Sequence, residues 1–278
     1  MYRGGALKKL VLGLAPLLVL AAFSVWSTCR VVGAGAGVPD DDAWQAASKA
    51  VRAEHRAGDL IVFAPRWIDP VGRLHLGDLI PIEMAARLDG DRYGVIWELG
   101  IRGARAPETR GLSPASQRRF GGVVVRRFER APAVVLSDLV AIAAAAPGSL
   151  QLGGAVARPP QVVLAEVGFE PHRCVQVTPA AGQEMTVTFP AVTLGTELVG
   201  AVGLADVFTR RDVRTPIELV VTAGGREVAK ARAGVNSGWV RWRGATTPGS
   251  GDVVVTARAL GGSKGRDRLI CFAAEARR

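Results

Sequence analysis

The chain has 278 residues, 49% of them hydrophobic, with 35 Lys+Arg against 25 Asp+Glu and a formal net charge of +10. The apolar fraction excludes a disordered chain, three cysteines are too few for a disulfide-dense scaffold, and one long apolar stretch excludes a polytopic membrane protein. The length admits one large domain or two ordinary ones.

Arg3, Lys8 and Lys9 precede an unbroken run of apolar or small residues from Leu10 to Val25, and Trp26 closes it where an interfacial aromatic belongs. The run predicts a membrane segment over 1–30, with its basic flank in the cytoplasm and everything after residue 30 outside. Two readings fit: an uncleaved signal anchor, and a signal peptide cut after Ala34-Gly35-Ala36. Trp26-Ser27-Thr28 before Cys29 makes a poor lipoprotein signal. Residues 31–39 read as a linker. Its Gly33-x-Gly35-x-Gly37 follows a membrane segment, where a nucleotide loop would follow a strand.

Residues 40–150 read as a small α/β domain. Asp40-Asp41-Asp42 supplies a cap and an acidic first turn. The spacing then predicts a helix over 43–56 with Ala43, Ala47, Ala50 and Val51 on one side, stopped at Gly58. Leu60 to Ala64 reads as a strand covered on both faces. A helix over 79–88, a strand over 93–99, a short helix from Ser113-Pro114 to Phe120 and a strand over 123–128 follow. This alternation argues for a parallel or mixed sheet. Residues 134–146 fit either a strand turning into a helix or one helix capped by Ser137. Residues 148–160, rich in Gly and Pro, read as a boundary.

Beyond it, in a domain placed at 160–278, short strand-like runs recur over 162–167, 173–177, 185–189, 197–204, 217–222, 227–231, 239–243, 252–259 and 269–274. Thr222-Ala223-Gly224-Gly225-Arg226 is a hairpin signal. Regular short strands with almost no helix predict an antiparallel β-sandwich of jelly-roll type. The fold class is therefore α+β: a membrane helix, a small α/β domain and a C-terminal sandwich. Cys29 sits at the membrane exit. Cys174 and Cys271 remain as an even pair in an exported segment, which predicts a disulfide across 97 residues.

The loop after the first strand carries the first candidate site, because ligands of α/β sheets sit beyond the carboxyl ends of strands. There Arg66 suits a phosphate or carboxylate, Trp67 a sugar ring, and Asp69 hydroxyls, with His75 close by. His75 and Asp78 also share a helical face, but the three histidines are otherwise far apart, and neither metal nor cofactor is expected. In the sandwich, Trp239 and Trp242 are three positions apart and so point to opposite faces. One belongs in the core, which leaves Trp242 as a candidate exposed stacking ring. Asp206 and Arg210 crowd a charged loop and complete the candidate set.

Two stretches resemble known families. Gly58-Asp59-Leu60-Ile61-Val62-Phe63-Ala64-Pro65, after the Trp44 helix, resembles the exported soluble segments of bacterial membrane glycosyltransferases of the dolichyl-phosphate-mannose type. Those enzymes need many membrane helices and this chain has one, so their acidic catalytic loop does not carry over. From Cys174 to Arg277, the Gly200-x-x-Gly203-Leu204, Asn236-Ser237-Gly238-Trp239 and Cys271-Phe272 spacings are similar to galactose-binding-like jelly rolls, which implies carbohydrate binding. The implied setting is a bacterial inner membrane, with the bulk of the chain outside.

Hydrolase elbow, phosphate-loop and zinc-protease signatures are absent. Basic residues are spread along the chain with no nucleic-acid motif, and export removes nucleic acid as a partner. The charge suits an anionic envelope or headgroup surface. The reading is a non-catalytic module that binds glycan or an envelope partner. The alternatives are an enzyme or subunit acting on envelope glycan or lipid-linked sugar, and a purely structural ectodomain.

Overall fold

The computed structural model describes residues 4–35, 38–180, 182–205, 216–234, 236–260 and 268–278. The chain is α+β, with an apolar N-terminal helix, a few further helices and mainly antiparallel sheets that form a sandwich. Helix α1 (Gly4–Gly35) contains one stretch, Ala15–Gly33, that is long and apolar enough to cross a membrane, and none of it is buried in the protein. It runs through Gly33 and Gly35, which the sequence assigns to the linker.

Contacts divide the chain into two units. The first holds residues up to Ala57, Ile61–Leu76 and Ile96–Phe128. The second holds Gly58–Leu60, Gly77–Val95 and Glu129–Arg278.

In the first unit, α2 (Asp41–Glu54) begins where Asp40 Oδ1 accepts a 2.9 Å bond from the Ala43 amide. Such a cap satisfies one of the orphan donors of the first turn. Ala43, Trp44, Ala47 and Val51 form its buried face. Strand β1 (Leu60–Ala64) is buried throughout, as its continuous apolar run requires. A 3₁₀ turn (Arg66–Ile68) leads into α3 (Asp69–Leu76); Ile68 of the turn and Gly72 and Leu76 of the helix line the inner side. Gly72 is there for contact: a Cβ would lie 2.0 Å from the Phe63 ring. Strands β2 (Val95–Ile101), β3 (Ser116–Phe120) and β4 (Val123–Glu129) complete a sheet ordered β1-β2-β4-β3.

Residues 116–120, expected as part of a helix, are a strand. They pair antiparallel with β4 from Ser116↔Arg127 to Phe120↔Val123. Their side chains are mostly exposed, so the strand lacks the apolar alternation that would betray it. Glu98, wholly buried in β2, has all its demands met: Arg126 Nη1 donates at 2.8 Å, the Ala106 amide at 2.7 Å, and Thr109 Oγ1 also donates.

In the second unit, the expected helix over 79–88 shrinks to α4 (Ile82–Ala85), because Pro81 disfavours helix in the residue before it and caps a new start. Residues 134–146 resolve as a strand turning into a helix: β5 (Val135–Asp138), then α5 (Leu139–Ala145). Asp138, rather than Ser137, caps α5 by accepting from the Val140 and Ala141 amides. Residues expected as the boundary form β6 (Gln151–Gly154) and the start of β7 (Val156–Val167).

The remaining strands are β8 (Glu170–Pro179), β9 (Glu184–Leu194), β10 (Glu197–Leu204), β11 (Ile217–Ala223), β12 (Arg226–Ala233), β13 (Val240–Ala245), β14 (Gly249–Ala259) and β15 (Ile270–Arg277). One sheet is ordered β13-β10-β15-β8-β7, with β5 also on β15. The other is ordered β12-β11-β14-β9-β6. Between the sheets, Phe189 of β9 meets Phe272 of β15 edge-on at 6.2 Å, within a core drawn from both. Every residue of β15 is buried, because the core covers one face and α5 packs on the other. Cys174 and Cys271 are disulfide-bonded, with Cα atoms 5.5 Å apart, and join the neighbouring strands β8 and β15.

Candidate functional site

The loop that the sequence singles out lies in the first unit, but its residues do not converge. Asp69 is paired with Arg73 one turn along α3, with the Arg73 Nε 2.5 Å away. His75 stacks on Trp44 of α2 (centroids 6.1 Å apart) with its Nε2 3.4 Å from Asp41. Arg66 is exposed. Trp67 is exposed as well. Asp206 and Arg210 lie outside the described residues.

Trp242, expected as an exposed ring, is instead buried. Facing pairs explain this: Gly200 on β10 stands opposite Trp242 on β13, and the indole fills the space a side chain at 200 would take, 2.1 Å from where a Cβ would sit. Trp239 does point to the other face, toward the disulfide cluster. It too is occupied, stacked on His172 at 4.4 Å with its Nε1 donating to the Glu170 carbonyl at 2.9 Å.

A concave site of about 380 Å³ does exist in the sandwich unit, where α5 covers the outer face of the sheet. Leu88, Val140, Ala141, Ala144, Val162, Ala273 and Ala274 give it an apolar lining. Ionisable groups ring it. Glu83 of α4 and Arg173 of β8 pair at 3.1 Å, Arg92 and Glu275 at 3.4 Å, and Arg87 donates to the Met84 carbonyl at 3.0 Å. Asp138 stands directly opposite Glu275 across the β5–β15 ladder.

These charges rest on an inner support. Arg277, wholly buried, grips Asp89 through two 2.9 Å bonds and Glu275 through bonds of 2.7 and 2.9 Å. Burial pushes the Glu275 carboxyl above the usual carboxylate range, against the pull of Arg277 and Arg92. Burial also pushes Asp89 upward, but there the Arg277 guanidinium wins and holds the group low. Glu83, at the rim, is lowered first by its own backbone amide and then by Arg173.

The site thus offers donors and acceptors in fixed positions beside an apolar wall. Neither facing carboxylate has the setting of a free acid or base. Asp138 Oδ1 caps α5, while Arg277 takes Glu275 Oε2 and Arg92 lies against Oε1. Glu83 lines the site, but Arg66, Asp69, His75 and Asp78 do not. Among the described residues, no group of three His, Cys, Asp or Glu side chains could hold a metal ion.

The lining was hidden in the sequence because it draws on five separated segments. One signal was present. Glu275 and Arg277 share a face of an otherwise apolar strand, and charges in such a setting are buried only when paired.

No family model matches the chain, and no curated protein matches it in sequence. Solved structures resemble it. The CBM51-2 and INT domains of Clostridium perfringens ZmpB share 11% identity at a TM-score of 0.32, over 47% of this chain and 30% of that one. The CBM51 of Clostridium perfringens GH95, in complex with methyl-galactose, shares 11% at 0.30, over 45% and 88%. A carbohydrate-binding module of the β-sandwich superfamily shares 11% at 0.34, over 56% and 67%. The chain spans 30% and 40% of the first two matching chains. The sandwich itself is defined by the strand order and registers given above.

Proposed function

We propose that the protein is a membrane-anchored, exported, non-catalytic glycan-binding module of the bacterial cell envelope, with its ligand held in the pocket beneath α5. The pocket carries this reading. An apolar wall suits the C–H face of a sugar ring, and guanidinium and carboxylate groups fixed by mutual pairing suit adjacent hydroxyls, which both donate and accept. The rim charges nearly balance, so a neutral, hydroxyl-rich ligand fits better than an anion. The anchored and exported parts of the reading rest on the apolar α1 with its basic flank and on the disulfide, which belongs to an oxidising compartment. Solved structures of similar fold bind GlcNAc or methyl-galactose, which makes hexoses the first ligands to try.

The test is a glycan panel probed with the full chain in detergent micelles, wild type beside Ala144→Trp. Ala144 is exposed at the pocket, so tryptophan there fills the cavity without disturbing the core. At least one glycan is expected to bind wild type and to be lost in the variant, with far-UV circular dichroism unchanged. No glycan above background, or equal binding by both proteins, overturns the reading.

A further inference from the structure

Three large apolar residues on one side of the 66–76 segment are exposed. Trp67 is 63% exposed, Val71 43% and Leu74 80%. Their spacing of four and three puts them on one helical face, well away from the buried Ile68, Gly72 and Leu76. Scattered apolar residues on a surface are ordinary, but a contiguous trio on one face marks a contact surface.

Two observations say what covers it. The first is the tether. Six residues (34–39) separate the end of the apolar stretch at Gly33 from the Asp40 cap of α2, a reach of about 25 Å at most. Helix α3 is fixed to α2 by the Trp44–His75 stack and by Arg52 Nη2, which donates to the His75 carbonyl at 2.6 Å. The apolar face therefore belongs to the first folded layer past the membrane. The second is charge. From residue 38 onward the first unit carries twelve basic against seven acidic residues, a net +5. A cationic body with an exposed tryptophan and aliphatic neighbours matches the chemistry of an anionic membrane interface.

We propose that the Trp67–Val71–Leu74 face lies in the headgroup region of the bilayer that α1 crosses, drawn there by anionic phospholipid. This rests on the membrane-anchored reading above. The face then sets how the first unit stands on the membrane.

The test uses the full chain reconstituted into vesicles of phosphatidylglycerol and brominated phosphatidylcholine, whose bromines quench nearby tryptophans. A Trp26→Phe background removes the tryptophan of α1. Trp44, Trp97 and Trp242 are buried in the protein. Quenching is expected in this background, and Trp67→Phe is expected to remove most of it. Leu74→Asp should lower it as well. Equal quenching with and without Trp67 overturns the proposal. Flotation on a density gradient separates the two layers of the argument. Protein that fails to float with the vesicles removes the anchored reading and this one together, whereas protein that floats with Trp67 unquenched removes only the membrane face. Quenching that persists undiminished in neutral lipid refutes the role given to anionic phospholipid. If Leu74→Asp converts a dimer to a monomer in micelles and Trp67 is unquenched in vesicles, the face is a self-association surface and the proposal falls.

Discussion

Replacing Arg277 with methionine tests the support under the pocket. Methionine keeps much of the stem's bulk and removes the guanidinium. The side chain of Arg277 is fully buried, and Asp89 and Glu275 are 16% and 4% exposed. Without the guanidinium, both carboxylates lose their chief partner in the interior. Breaking a buried ion pair from one side costs about 3–5 kcal/mol, because the remaining charge is left uncompensated. For a unit of this size, each kcal/mol lowers Tm by about 2–4 °C, so a fall on the order of 10 °C follows.

The pH dependence has a definite sign. In the wild type, the lowered Asp89 contributes stability above the ordinary aspartate range, and that stability is lost as pH falls through its folded pKa. In the variant, Asp89 and Glu275 are both buried with reduced compensation, so their folded pKa values rise. A carboxylate raised on folding costs stability at neutral pH and returns it on acidification. The gap between variant and wild type should therefore narrow as pH falls toward about 4–5, the ordinary carboxylate range. Urea unfolding in micelles, followed by far-UV circular dichroism at neutral and acidic pH, measures both values. A neutral-pH loss below about 1 kcal/mol, or a gap that widens on acidification, would refute the reasoning.

Two further outcomes follow from close packing and from the cross-link. Gly72→Ala forces a methyl into the Phe63 ring and should cost about 1–3 kcal/mol; the added substitution Phe63→Leu should recover part of it, and a melting curve for Gly72→Ala that matches wild type counts against this packing. Serine at both Cys174 and Cys271 opens a 97-residue span and should cost about 2–5 kcal/mol in denaturant, while thiol labelling of the denatured, unreduced wild type should reach Cys29 alone.

Most of the sandwich is legible from alternation. Ile217 to Ala223 alternates buried and half-buried side chains along β11, and the sequence shows the same period. Strand β3 is illegible because its Ser-Gln-Arg-Arg residues face solvent at a sheet edge. Only its hydrogen bonds to β4 make it a strand, and local pattern does not carry that information. The expected helix over 79–88 is cut short at Pro81, a break the sequence itself carries. Trp239 and Trp242 show the limit of parity. The two-residue period places them on opposite faces, but which face is open depends on what covers each. The partners, Gly200 and His172, lie tens of residues away. The pocket is hidden for the same reason, since its wall joins α5 to strands fixed only by tertiary pairing.

The position of β15 has a consequence for how the protein is made. It lies between β10 and β8 and also pairs with β5, so three strands wait for the segment 270–277. Synthesis runs from the N-terminus, and all three partners emerge first. Until β15 arrives, β8 and β10 offer open edges to any other extended chain, and closing the sheet requires contacts of long sequence separation, which form slowly. The half-finished sandwich is therefore the state most in need of protection, and the arrival of β15 ends it.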